Sequence, residues 1–108
     1  MEQHGPSIEE LRATVQSGTI RWRSHALERL LSRGITRSGV FDAVNTGRII
    51  ERYTDDKPFP SVLVAAGDPT SLHVVMALDR TTGLAYVISA YRPDSNHFED
   101  DGITRRSP

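Results

Sequence analysis

Residues 72–91 read LHVVMALDRTTGLAYVISAY, and they decide the fold. Two apolar, β-branched runs, Leu72–Asp79 and Leu84–Tyr91, flank the polar tetrapeptide Arg80-Thr81-Thr82-Gly83. That pattern predicts two antiparallel strands joined by a tight turn. Gly83 suits the left-handed position of a three-residue hairpin loop with a G1 bulge, which pairs Arg80 with Leu84. Period two then puts Val74, Met76 and Leu78 on one face with Tyr86, Ile88 and Ala90. His73 falls opposite Tyr91 on the other face.

Upstream, "SVLVAA" (61–66) and "RIIERY" (48–53) read as two more strands, with "DDKPFP" as the loop between them. Before Arg48 the period becomes helical. "PSIEELRATVQSG" predicts a first helix: Ser7 caps it, Glu10 completes a capping box, and Gly18 stops it. "TIRWR" reads as a short extended link or edge strand. Ser24 is the expected cap of a second helix running to about Arg33, with Ala26, Leu27, Leu30 and Leu31 as its apolar side and Gly34 ending it. Thr36 caps a third, which Gly47 ends. Helices followed by a meander predict an α+β domain, its N-terminal helices packed on one face of a four-stranded, mainly antiparallel sheet. The second face is then open to solvent or to a ligand. One domain over 1–108 is expected, with a core of about 7–95 and an irregular tail at 96–108.

The chain has 108 residues, 25% of them charged, and no cysteine. Disulfides and thiolate metal sites are excluded, which fits a reducing cytoplasm. No stretch suits a signal peptide or a membrane span. The formal net charge of −1 speaks against a uniformly basic nucleic-acid binder, but its distribution is uneven. Residues 12–52 hold eight Arg against three acids, and residues 53–108 hold five basic side chains against eight acids. A local positive surface near the helices follows, built from the side chain whose planar fork suits phosphate.

"SHALERLLSRGIT" (24–36) spaces His25, Arg29 and Arg33 four residues apart, so they stay near one helix stripe. With Ser24 as cap, His25 is the first helical residue, where a neutral imidazole can accept a proton and exposed N–H groups favour phosphate. Arg29 lies one turn below as an anion clamp. A histidine that merely seats the helix is the alternative. His73 and Tyr91 make a second candidate pair, an imidazole and a phenol able to exchange protons, or simply a packed pair sharing a hydrogen bond. Arg92 follows, with Pro93 turning the chain out of the strand. His4, His25, His73 and His97 show no metal-ligand spacing, so neither a metal nor a cofactor is expected.

The order of "RWRSHALERLLSRGIT", "VFDAVNTGRIIERYTDDKPFPSVLVAAG", "LHVVMALD" and "AYVISAYRPD" resembles a bacterial family, domain-of-unknown-function family 4258, over roughly residues 20–95. His25, Arg29 and Arg33 match its helix motif, His73 its strand motif, and Tyr91 and Pro93 its last-strand motif. The family is grouped with RelE/ParE-like and MqsR-like toxins. The resemblance implies a RelE-like fold and the toxin of a toxin–antitoxin pair, a metal-independent endoribonuclease on mRNA. Its implied partners are RNA, at the ribosome in some branches, and a small cognate antitoxin, perhaps of zinc-finger type. On that reading His25 or His73 is the base, the other or Tyr91 the acid. Arg29 stabilises the phosphorane, and Arg33 and Arg92 position phosphates. A non-enzymatic module docking an acidic partner or nucleic acid on the same Arg face is the second expectation. A third is an antitoxin-like protein whose acidic tail (Glu99, Asp100, Asp101) mimics nucleic acid.

Overall fold

The computed structural model describes residues 5–67 and 71–93. Three helices, α1 (Ile8–Ser17), α2 (Ala26–Ser32) and α3 (Arg37–Thr46), precede or interleave with five strands: β1 (Ile20–Trp22), β2 (Arg48–Tyr53), β3 (Ser61–Ala66), β4 (Leu72–Asp79) and β5 (Leu84–Tyr91). They form one sheet in the order β1-β5-β4-β3-β2. The expected count of four strands is therefore corrected to five. "TIRWR" supplies the fifth, an edge strand running parallel to β5 with Ile20 opposite Ala85 and Trp22 opposite Val87. The other pairings are antiparallel. The expected tail at 96–108, with its acidic cluster, and two of the histidines, His4 and His97, lie outside the described residues.

The helices lie on one face, as expected. Leu11 of α1, Leu30 of α2 and Val40 and Val44 of α3 are fully buried against Val62, Val64, Val74, Met76 and Val87. Burial of each such side chain is worth roughly 1.5–3 kcal/mol. The caps of α1 form as read: Ser7 accepts from the Glu10 N–H, and Glu10 accepts from the Ser7 N–H. Arg12 fixes α1 to α3 by donating to the carbonyls of Val44 and Gly47, at 3.1 and 2.8 Å, which closes the C-terminus of α3. Leu31, expected on the apolar side of α2, is instead half exposed.

The β4–β5 register differs from the expected one near its turn. Asp79, not Arg80, faces Leu84, so four residues form the loop. The extra residue is taken up later, by a bulge at Ile88, after which Val74 faces Ala90 and His73 faces Tyr91. The His73–Tyr91 pairing thus holds, but the bulge that sets it sits in mid-strand. Tyr86 faces Ala77, and so leaves the core face where period two had put it.

The second face is not open at its centre. Ser61, Leu63, Ala65, His73 and Ala77 are all at most 2% exposed. By register, the longer side chains of Glu51, Tyr53, Tyr86 and Tyr91 share this face. Tyr53 donates to Glu51 at 2.6 Å.

Candidate functional site

α2 is shorter than its sequence suggested, and it starts differently. His25 itself is the N-cap, in the left-handed conformation (φ 67°), and its side chain caps nothing. The Ala26 N–H, first in the helix, is taken by the Arg23 carbonyl at 2.8 Å. One N–H of the expected anion site at this helix start is therefore already occupied. The positive φ turns the imidazole outward, where its Nδ1 lies 3.2 Å from a Glu28 carboxylate oxygen. Both side chains are largely exposed, 69% and 80%. In the neutral tautomer that places the proton on Nδ1, facing Glu28, Nε2 is left as an acceptor.

Arg29 is exposed one turn further on. Arg33 caps the C-terminus of α2 and reaches across to β5, donating to the Ala90 carbonyl at 2.9 Å. Arg92 answers it, donating to the Arg33 carbonyl at 2.8 Å. These two bonds tie the end of α2 to the end of β5 through guanidinium groups. Each has further N–H groups beyond the one so used. Arg21, Arg23 and Arg37 are exposed along the same run of chain. Among the described residues none of these six guanidinium groups pairs with a carboxylate. By contrast, Arg80 is paired with Glu10 at 2.8 Å.

His73 and Tyr91 are brought together, their ring centroids 5.5 Å apart in an edge-on arrangement. They are not joined to His25 in one open patch. His73 is fully buried on the sheet face opposite the helices, whereas His25 is largely exposed on the chain between β1 and α2.

Two features escaped the sequence reading. Phe59 stacks on Tyr86, centroids 6.2 Å apart and rings within 12° of parallel. With Arg23 and Pro58 they line a surface hollow beside β1. The proline-rich turn "DDKPFP" gave no sign of this, because Tyr86 was assigned to the core. The second is a cleft of about 250 Å³ between α3 and the ends of β3 and β4, with Asp42 and Arg92 among its lining residues. Among the described residues no three His, Asp or Glu side chains gather as metal ligands, and no helix is long and apolar enough to cross a membrane.

The chain belongs to a family described as Domain of unknown function (DUF4258), whose model matches residues 22–92. That span begins at the end of β1 and closes on Arg92, so it contains α2 and every candidate site residue. No curated protein matches the chain.

Proposed function

We propose that this protein binds single-stranded RNA along α2 and cleaves it without a metal, as a RelE-like toxin of a toxin–antitoxin pair. The observation that carries this reading is the row of exposed guanidinium groups, Arg23, Arg29, Arg33 and Arg92, without carboxylate partners among the described residues. Such groups are what a phosphodiester backbone requires. The row is flanked by the Phe59–Tyr86 stack, a platform of the kind on which unpaired bases rest.

His25 is the exposed imidazole beside this row. In the proposed reaction its Nε2 takes the proton of a ribose 2′-OH, while Glu28 holds Nδ1–H and steadies the imidazolium that forms. The 2′ oxygen attacks the adjacent phosphorus. Arg29 stabilises the charge on the phosphorane, and the 5′ oxygen leaves with a proton from water. The products are a 2′,3′-cyclic phosphate and a 5′-OH end. His73 has no direct part, because substrate cannot reach it. Its role is to hold Tyr91 in place on β5, next to Arg92.

Purified protein incubated with single-stranded RNA in EDTA tests this. Cleavage with cyclic phosphate ends, lost in His25→Ala and Arg29→Ala, is the expected result. The burial of His73 favours a second reading, a module that binds RNA or an acidic antitoxin on the same Arg row and cuts nothing. Tight RNA binding with no cleavage would select it. A small cognate antitoxin laid over the row would silence either form.

A further inference from the structure

The cleft between α3 and the strand ends lies next to the Arg33–Arg92 pair, and the reaction above does not use it. Its volume of about 250 Å³ is enough for a nucleobase with part of its sugar. Thr36, Thr46 and Ser71 line it with Asp42 and Arg92, and Leu72 gives an apolar wall. The threonine hydroxyls are already engaged: Thr36 accepts from the Gly39 N–H at 3.0 Å and Thr46 donates to the Asp42 carbonyl at 2.8 Å. Two groups stay available. Arg92 is fixed by one bond to the Arg33 carbonyl and keeps its other N–H groups. The Asp42 carboxylate makes no hydrogen bond or ion pair with another described residue.

A carboxylate here is informative. It repels phosphate, so phosphate belongs at Arg92, and the exposed Asp42 carboxylate is open to a donor on the ligand. We infer that the cleft is a single-nucleotide subsite, Arg92 taking the phosphate and Asp42 reading the Watson–Crick edge of a guanine. Guanine offers two adjacent donors, N1–H and the 2-amino group, which the two carboxylate oxygens accept together. Uracil offers one donor between two acceptors. Adenine and cytosine offer an amino group beside a ring nitrogen that a carboxylate repels. Guanine is thus the base this geometry prefers. The inference rests on the RNA-binding reading for its biological setting, but not for its chemistry.

Calorimetric titration of the full chain with GMP, IMP and AMP tests it. GMP should bind about 10-fold tighter than AMP, the discrimination of one bidentate pair, with IMP, which lacks the 2-amino group, between them. Asp42→Asn should abolish the preference. Arg92→Ala should weaken GMP to the level of guanosine and leave guanosine unchanged. Equal affinity for GMP and AMP, or a preference that survives Asp42→Asn in a variant with wild-type circular dichroism, overturns the inference. A uridine-only oligonucleotide separates the two claims. If it binds while GMP shows no preference, the cleft assignment fails and RNA binding stands. If GMP is preferred and no RNA binds, the reverse holds.

Discussion

Arg29→Ala tests the RNA row through its salt dependence. Four guanidinium groups, Arg23, Arg29, Arg33 and Arg92, lie along or beside α2, a helix about 10 Å long at 1.5 Å per residue. If each neutralises one phosphate, binding to a single strand falls with a log–log slope of about −0.7 per contact, or about −2.8 in total. Raising salt from 50 to 200 mM should then weaken binding about 50-fold. Arg29→Ala removes one contact, so the slope should become about −2.1 and the loss over the same range about 20-fold. Arg29 is exposed and makes no side-chain bond to a described residue, so folding should be unaffected. The assay is fluorescence anisotropy of a labelled single-stranded RNA across a salt series. Arg48→Ala is the control. Arg48 is exposed too, but on β2, at the far edge of the sheet from β1. A wild-type slope near zero would refute the row as a phosphate track. Equal slope changes from Arg29→Ala and Arg48→Ala would show diffuse charge, not a track.

Three further outcomes follow from the packing. Gly47→Ala puts a Cβ 2.5 Å from the Ala43 carbonyl and 2.6 Å from that of Ala65, both backbone. Overpacking of that kind should cost about 3 kcal/mol, seen as a Tm lowered by about 15 °C. His25→Gly should raise stability by about 0.5–1 kcal/mol in urea unfolding, since glycine relieves the left-handed strain, while RNA cleavage is lost; lowered stability would mean that the imidazole is holding α2 in place. The Glu10 carboxyl is held below its ordinary 4.5, first by its bond from Arg80 and next by the Ser7 N–H. Its contribution is complete above pH 4.5 and fades as pH falls through the lowered folded value, so Glu10→Gln should flatten the acid limb of the stability curve measured between pH 5 and about 2.

Strand positions were legible because their signal is local. The four runs from Arg48 onward are bounded by turn residues and filled with β-branched ones, and each forms where the pattern put it. Helix caps were equally readable at Ser7 and Thr36, where a hydroxyl finds a nearby N–H. β1 was harder. A three-residue strand carries too short a pattern to declare a partner, and its parallel pairing with β5 spans most of the chain. The loop register failed for a different reason. A bulge adds one residue wherever the sheet needs extra twist, and at Ile88 no glycine or polar residue marks it.

The site shows the same division between near and far. Spacing put His25, Arg29 and Arg33 on one helix stripe; all three are exposed, but only Arg29 lies within α2, with His25 as its left-handed N-cap and Arg33 as its C-cap. It could not show that, across more than fifty residues, Arg33 donates to the Ala90 carbonyl while Arg92 donates to the Arg33 carbonyl. Nor could it separate two histidines of equal chemical promise. Alternation placed His73 on the face away from Val74, and an outward face reads as accessible only while nothing flanks it. Tyr91 packs edge-on against it from β5, Ala65 of β3 lies opposite it on the other side, and the ring is fully buried. His25 went the opposite way: a backbone conformation that costs an L-residue of order 1 kcal/mol or more turns it out into solvent. Among the described residues, the non-glycine positive φ falls on the imidazole beside the Arg row. Its side chain caps no helix and, among the described residues, has Glu28 as its hydrogen-bond partner. That strain falls on an exposed ring beside the Arg row, so His25, rather than the buried His73, is the residue whose substitution tests the proposed cleavage most directly.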